Sequence, residues 1–130
     1  MVIAVGLGNP GKRYKDSRHN LGFRVVEQVA DHLGLKSWKT QCESEVVRGG
    51  SGERAMLLAK PQTFMNLSGR AVQCLCAFYK IALEDRLVIT DDLELPLGTI
   101  RQRVSGSDGG HRGLRSVTQE TGSQIFKRIR

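Results

Sequence analysis

Residues 2–23 decide the fold, and they read VIAVGLGNPGKRYKDSRHNLGF. The stretch opens with apolar residues and continues into a loop that contains three glycines. A short apolar run that is bounded by glycine is typical of a strand buried on both faces of a sheet. We therefore predict a buried strand, then a glycine-rich loop, and then a segment that brings His19 to the edge of the sheet.

The composition is that of an ordinary globular protein. The chain has 130 residues, of which 39% are hydrophobic and 25% are charged, and this length suits one domain with a sizeable core. No apolar run approaches the ~18 residues that a membrane span needs, and the N-terminus lacks the pattern of a secretory signal. We expect one domain over residues 1–130 that makes no membrane contact. We expect it in the cytoplasm, or in an organelle if a transit peptide has been removed.

The cysteines give no pattern of a disulfide framework or a zinc site. The chain has three of them, Cys42, Cys74 and Cys76, without a CxxC spacing. An odd number at such spacings is typical of reduced thiols in a cytosolic protein. We therefore predict that all three are reduced.

Positive charge is concentrated towards the C-terminus. The net charge of the chain is +7, and residues 101–130 contain seven basic residues against two acidic ones, which is +5 of that total. Such a basic cluster is the electrostatic pattern of a surface that meets a polyanion. It favours a phosphate-rich partner, with a merely solubilising surface as the alternative.

The first half of the chain predicts a helix and then a hairpin. The helix begins near Asn20, which is a candidate N-cap. Its apolar stripe consists of Leu21, Val25, Val29 and Leu33 at a spacing of four, with Val26 and Ala30 beside them. Residues 45–48 and 54–60 flank a glycine-rich turn, which predicts a β-hairpin whose second strand lies inside the sheet.

The second half predicts another helix and three more strands. Asn66 or Ser68 is the candidate cap of this helix, and its apolar side consists of Ala71, Val72, Leu75, Phe78 and Tyr79. Strand patterns occupy residues 87–89, 99–104 and 126–130, with a helical pattern over residues 112–121. Strands that alternate with helices predict an α/β domain with a central sheet covered on both faces.

Residues 6–11, GLGNPG, match the dinucleotide-binding pattern G-x-G-x-x-G only formally. In that fingerprint the last glycine lies within a helix, and an acidic residue follows ~20 positions later at the end of a second strand. Here Pro10 precedes the last glycine, and the acidic position falls near Asp31, inside the predicted helix. The pattern argues against a nucleotide-dependent oxidoreductase. The loop instead allows Asn9 to approach a ligand closely.

His19 has a candidate carboxylate partner in Asp91, which follows the predicted strand 87–89. The carboxyl ends of parallel strands gather at one edge of a sheet, where sites form, so we expect the two side chains to meet. A His–Asp pair is the orienting device of a general base. Because the chain has no nucleophile elbow, His19 would activate water. Two alternatives are a helix-capping surface histidine and a metal site of His19, Asp91 and His111.

Three segments in this order resemble the bacterial-type peptidyl-tRNA hydrolases: GLGNPGKRYKDSRHNLGF, KPQTFMNLSG and DDLELPLGTIRQRVSGSDGGHRGLRSV. The resemblance implies a single α/β domain with a twisted mixed sheet between helices. It also implies a monomer that cleaves the ester between a peptide and the 3′ ribose of tRNA, without a metal or organic cofactor. Members of that family normally continue well beyond the position of Arg130, so we expect the chain to lack their usual C-terminal portion.

The resemblance also assigns roles to residues. His19 corresponds to the catalytic base, Asp91 to the carboxylate that orients it, and Asn9 and Asn66 to two asparagines at the scissile ester. The implied substrate contacts are Tyr14, Met65 and Asn66 in the cleft and Arg101, Arg103 and Arg130 on tRNA phosphates. Arg112 replaces a family asparagine, and we expect its long cation to contact RNA. A non-catalytic RNA-binding module on the same fold is the alternative function.

Overall fold

The described part of the chain forms one mixed sheet with a helix on each face. The computed structural model describes residues 1–11, 20–90, 102–103, 113, 116–117 and 127–129, with 102–103 and 127–129 described by their backbone alone. Its strands and helices are β1 (Val2–Gly6), α1 (Leu21–His32), β2 (Lys39–Gln41), β3 (Ser44–Gly49), β4 (Met56–Pro61), α2 (Ser68–Tyr79), β5 (Arg86–Ile89), β6 (Gln102–Arg103) and β7 (Lys127–Ile129). In these residues no helix has the length and apolarity needed to cross a membrane.

The sheet is built around β1. The strand order is β2-β3-β4-β1-β5-β7-β6, and β1 pairs in parallel with both β4 and β5, so that Val5 lies between Ala59 and Val88. β7 continues the parallel region beside β5, whereas β2, β3 and β6 pair with their neighbours in antiparallel fashion. The predicted α/β class with a mixed sheet is confirmed. The carboxyl ends of β1, β4, β5 and β7 therefore share one edge.

Two buried clusters fix the helices on the sheet. The cluster on the α2 face includes Ile3, Val5, Leu57, Val72, Leu75 and Val88. The cluster on the α1 face consists of Val26, Ala30, Val47, Leu58 and Ile89. Fully burying one side chain of this size stabilises a fold by roughly 1.5–3 kcal/mol, so these clusters position the two helices.

α1 approaches the sheet so closely that glycine is required at the contact. A Cβ atom on Gly22 would lie 2.5 Å from the carbonyl oxygen of Ile89 and 2.5 Å from the amide nitrogen of Leu7. A Cβ atom on Gly6 would collide with the carbonyl oxygen of Gly22 in the same way. These neighbours are backbone atoms, which cannot rotate aside. The side of α1 that faces the sheet must therefore carry a glycine at this contact.

The helix predicted near Asn20 is confirmed, and its predicted stripe is buried at Val26 and Ala30 but not at the four residues with a spacing of four. The four apolar residues at spacing four, Leu21, Val25, Val29 and Leu33, are 36–51% exposed. The side chains of α1 that are buried belong to Phe23, Val26 and Ala30, on the same side as Gly22. The spacing of large apolar residues does not reveal this choice, because the close approach to β1 favours small residues.

The glycine-rich hairpin is confirmed. β3 and β4 are antiparallel, with Val46 opposite Ala59, and β4 lies inside the sheet as predicted. Gly50 and Gly52 have φ values of 71° and 58° in the turn, a region that favours glycine. β4 begins two residues later than predicted, because Gly52–Arg54 form a 3-10 turn.

α2 confirms the second predicted helix, with two corrections. Neither candidate cap acts as one: Leu67 occupies the N-cap position, and the Ser68 hydroxyl donates to the carbonyl oxygen of Met65 at 2.8 Å. Phe78 is 66% exposed, so it does not belong to the buried side. Further along the chain, β5, β6 and β7 lie in the three predicted strand regions, and residues 113, 116 and 117 are helical.

The prediction of three reduced cysteines is wrong, because Cys42 and Cys74 form a disulfide. Their Cα atoms are 5.7 Å apart although the residues are 32 positions apart in sequence. The turn between β2 and β3 brings Cys42 onto α2, and spacing along the chain gives no indication of that contact. Glu43 in the same turn accepts a 2.7 Å hydrogen bond from Arg70 of α2. Cys76 is free and buried.

The two adjacent valines of α1 test the observed burial. We expect Val26→Ala to lower the free energy of unfolding by about 2 kcal/mol, because it removes two buried methyl groups and leaves a cavity. Val25→Ala is the matched control, with a side chain that is 38% exposed against 0% for Val26. It should cost less than about 0.5 kcal/mol. Urea denaturation of both variants measures the difference, and equal losses would contradict the packing described here.

Candidate active site

The loop after β1 brings Asn9 to the carboxyl edge of the sheet. The amide of Leu7 donates a 2.9 Å hydrogen bond to the carbonyl oxygen of Ile89, the last residue of β5. The loop therefore follows the end of β5 before it turns away. Asn9 is partly exposed at this position, where ligands bind in open parallel sheets.

Asn20 fixes the backbone of Asn9 by two hydrogen bonds. Its Oδ1 accepts from the Asn9 amide at 2.8 Å, and its Nδ2 donates to the Asn9 carbonyl oxygen at 2.9 Å. The Asn20 side chain is 4% exposed, and both bonds are partly buried. Asn20 occupies the N-cap position of α1 but makes no side-chain capping bond. The sequence predicted a cap, and the structure instead uses this amide to join the loop to α1.

The side chain of Asn9 joins the loop to a second segment of the same edge. Its Oδ1 accepts a 2.6 Å hydrogen bond from the amide of Met65, in the 3-10 turn Met65–Leu67 that leads into α2. Asn66 is the next residue and is exposed. The fold thus brings together Asn9 and Asn66, two of the predicted site residues that are 57 positions apart in sequence.

This bond also settles which way the Asn9 amide faces. A backbone N–H can only donate, so the atom that accepts from Met65 must be Oδ1. Among the described residues, no acceptor is recorded for the Nδ2 group of Asn9. It is a donor with two N–H bonds, which suits a carbonyl oxygen or the oxyanion that forms from it.

A third segment packs beside the same turn. The amide of Gly69, in the first turn of α2, donates a 2.8 Å hydrogen bond to the hydroxyl of Ser116. Val117 belongs to the buried cluster that includes Met65. Residues 116 and 117 therefore lie against the segment that carries Asn66. The sequence around Ser116 does not predict this contact, because the contact depends on the tertiary fold.

A buried hydroxyl lies close to the 3-10 turn, and a buried thiol lies further along α2. Thr63 precedes the 3-10 turn, and its hydroxyl is buried with no hydrogen-bond partner in the part of the chain that the structure describes. Burial raises the pKa of the Cys76 thiol, and the nearby Arg86 guanidinium opposes that shift. Cys76 is thus an uncharged core thiol and not an activated nucleophile. Among the described residues, no group of three His, Cys, Asp or Glu side chains is placed to bind a metal.

Similarity to known proteins shows the family of the chain. A family model described as peptidyl-tRNA hydrolase matches residues 3–130. The chain belongs to the peptidyl-tRNA hydrolase family. Curated peptidyl-tRNA hydrolases from Desulforudis audaxviator and Brevibacillus brevis are 49% and 45% identical to it over 130 residues, which are all of this chain and 67% and 69% of theirs.

Solved structures of the family show the same fold. The crystal structure of peptidyl-tRNA hydrolase from Acinetobacter baumannii aligns with a TM-score of 0.93 at 39% identity, covering 100% of this chain and 66% of that one. The chain spans about two thirds of the length of the relatives it matches. The family resemblance inferred from the three sequence segments is confirmed.

Several predicted site residues lie outside the described part of the chain. They are Tyr14, His19, Asp91, Arg101, Arg112 and Arg130, together with the side chain of Arg103 in β6. Met65 is described and is only 7% exposed, so its side chain packs in the core while its amide binds Asn9. The immediate sequence neighbours of the proposed base and its carboxylate, Asn20 and Thr90, are described and both buried.

Replacing Asn20 tests the junction between the loop and α1. We expect Asn20→Ala to lower the free energy of unfolding by about 2 kcal/mol, because the partly buried amide N–H and carbonyl of Asn9 both lose their partners. Asn66→Ala is the matched control, since Asn66 is exposed, and it should change stability by less than about 0.5 kcal/mol. Thermal or urea denaturation compares them. An Asn20→Ala protein as stable as the Asn66→Ala protein would show that the two bonds contribute nothing.

Proposed function

We propose that this chain hydrolyses the ester between a peptide and the 3′ ribose of tRNA. The observation that carries the proposal is the hydrogen bond from the Met65 amide to Asn9 Oδ1, in a chain of the peptidyl-tRNA hydrolase family. This hydrogen bond joins two of the three segments on which the family resemblance rests, at one edge of the sheet. Because the same bond uses Asn9 Oδ1, the Nδ2 donor of Asn9 is the group that we propose for binding the acyl group.

His19 is the proposed general base. It directly precedes Asn20, whose side chain binds the Asn9 backbone, and this neighbourhood supports its assignment to the same edge. An imidazole titrates close to neutral pH, so it can take a proton from water without a metal. General-base assistance of this kind is typically worth ~10²–10⁴-fold in rate.

Asp91 is the proposed partner that orients and polarises His19. It directly follows Thr90, the first residue after β5, and the last residue of β5 is bonded to the loop that contains Asn9. A carboxylate beside an imidazole selects one tautomer and stabilises the imidazolium that forms when water loses its proton. Both proposed catalytic groups thus flank described residues at the carboxyl edge of the sheet.

Asn9 and Asn66 are proposed to bind the acyl group and the attacking water. As the ester carbonyl is attacked, its oxygen gains negative charge, and a fixed amide donor then binds it more tightly than in the ground state. Losing one such donor typically costs ~3 kcal/mol of transition-state stabilisation. Tyr14 and Met65 are proposed to contribute to the cleft around this group.

The tRNA body is proposed to bind through basic residues away from the ester, namely Arg101, Arg103, Arg112 and Arg130. The net charge of +7 supports this role, because contacts to sugar-phosphate give affinity with little sequence preference and a strong dependence on salt. We further propose that the chain acts as a monomer in the cytoplasm, or in an organelle, where translation supplies peptidyl-tRNA.

His19→Ala is the direct test of the base. We expect it to lower kcat for peptidyl-tRNA by at least about 10²-fold while its affinity for tRNA stays that of the parent. His32→Ala is the matched control, because His32 is an exposed histidine in the last turn of α1. Release of peptide from purified peptidyl-tRNA measures the rate. A His19→Ala protein that keeps the parental rate would overturn the assignment, and a parent that binds tRNA without turnover would favour the RNA-binding module.

Asp91→Asn tests the partner of the base. We expect a smaller loss than with His19→Ala, about 10-fold in kcat. The inflection of the pH–rate profile should also move to lower pH, because the carboxylate that raises the pKa of the imidazole is gone. Asp85→Asn, at the opposite end of β5, is the matched control and should leave the profile in place. An Asp91→Asn profile with an unmoved inflection would contradict the pairing.

A further inference from the structure

A groove of about 920 Å³ begins at the candidate active site and follows α1. Asn9 and Pro10 line its start, and α1 lines it from Asn20 to Asp31. Those positions are 11 residues apart, which corresponds to about 16 Å along a helix at about 1.5 Å per residue. An extended peptide advances about 3.3 Å per residue. The groove therefore has room along its length for about five peptide residues.

The floor of the groove is a lysine whose charge is already balanced. The Lys60 side chain is 12% exposed, and its ammonium lies 3.1 Å from a carboxylate oxygen of Glu45 and 3.5 Å from one of Glu27. The same ammonium lies 4.6 Å from the ring centroid of Trp38, a cation–π contact that occupies one face of the indole. A phosphate would have to compete with two carboxylates for this cation.

The charge along the groove differs from that of the whole chain. The charged residues that line it among those described are Arg24, Lys36 and Lys60 against Glu27, Asp31 and Glu45, which sum to zero, whereas the chain carries +7. Single-stranded RNA is typically bound by a positively charged groove with aromatic faces that are free to stack on bases. The described residues of this groove carry no net positive charge, and Lys60 covers one face of its tryptophan, so the tRNA part of the substrate fits it less well than a peptide does.

Its apolar surface and amides suit a peptide better. Apolar side chains that are partly or largely buried lie between the charged pairs. They are Phe23, Leu35 and Trp38. Gln62 donates its Nε2 to the Lys60 carbonyl oxygen at 3.1 Å, which leaves its Oε1 to accept from a peptide N–H. The groove therefore offers paired charges, apolar surface and amide groups. A peptide without a large net charge has groups that complement all three.

We propose that this groove binds the peptide part of peptidyl-tRNA, with Trp38 and the Lys60 cluster as its floor. The inference rests on the proposed function, because the groove shares Asn9 with the site where the ester would be cleaved. Residues of the peptide nearest the ester lie at Asn9, and residues further back lie along α1. The groove thus favours esters that carry several residues over those that carry a single amino acid.

Trp38 is the only tryptophan of the chain, so its fluorescence reports occupancy of the groove without any turnover. The experiment titrates the chain with an N-acetylated pentapeptide amide and, separately, with the trinucleotide CCA. We expect a saturable change in Trp38 emission with the peptide and none with the trinucleotide. No change with the peptide, or a change with the trinucleotide alone, would overturn the proposal.

A matched pair of glutamines locates the binding. Gln28 lines the groove, whereas Gln73 is exposed on α2, on the other face of the sheet. We expect Gln28→Phe to fill the groove and weaken peptide affinity by at least about fivefold, and Gln73→Phe to leave it unchanged. Equal effects of the two variants would overturn the assignment.

Hydrolysis gives a second readout of the same site. Gln28→Phe should lower kcat/KM for a pentapeptidyl-tRNA by about fivefold and leave it unchanged for a tRNA that carries one N-acetylated amino acid. Equal losses on both substrates would place the effect outside the groove and overturn the proposal. A chain that binds the pentapeptide through Trp38 but hydrolyses neither ester would overturn the proposed function and leave the groove assignment intact.

Discussion

The whole candidate site depends on the pair of hydrogen bonds between the Asn20 amide and the backbone of Asn9. This pair joins the loop after β1 to the first residues of α1, within a contact too close for any side chain at Gly22. With its backbone fixed, Asn9 accepts from the Met65 amide and so connects three segments. A single buried asparagine thereby determines where the loop, α1 and the turn before α2 meet.

Patterns that rest on local physics predicted the architecture well. Glycine beside an apolar run gave β1, and glycines in a turn gave the β3–β4 hairpin, because both follow from backbone conformation and strand periodicity. The family motifs predicted that Asn9 and Asn66 belong to one site, and the fold brings them to one edge. These features are encoded over a few residues, or over motifs that are recognisable as units.

The larger failures arose from contacts that the local sequence pattern does not contain. The part of the predicted stripe that contains Val25 is exposed because the side of α1 with Gly22 and Val26 faces the sheet. Asn20 binds the loop instead of capping the helix. Cys42 and Cys74 form a disulfide because the β2–β3 turn lies on α2, which no spacing rule reveals. The groove that has Trp38 in its floor likewise results from the fold, since its walls come from α1 and from the strands that follow α1.

Native-state hydrogen exchange of the Met65 amide tests the central claim most directly. In the parent chain, this amide should exchange slowly, because its acceptor is the fixed side chain of Asn9. In Asn20→Ala, protection of Met65 should fall, while protection of Val47 in β3 should stay above that of Met65. Rapid exchange of Met65 in the parent, or unchanged protection after loss of Asn20, would show that the three segments are not joined in this way.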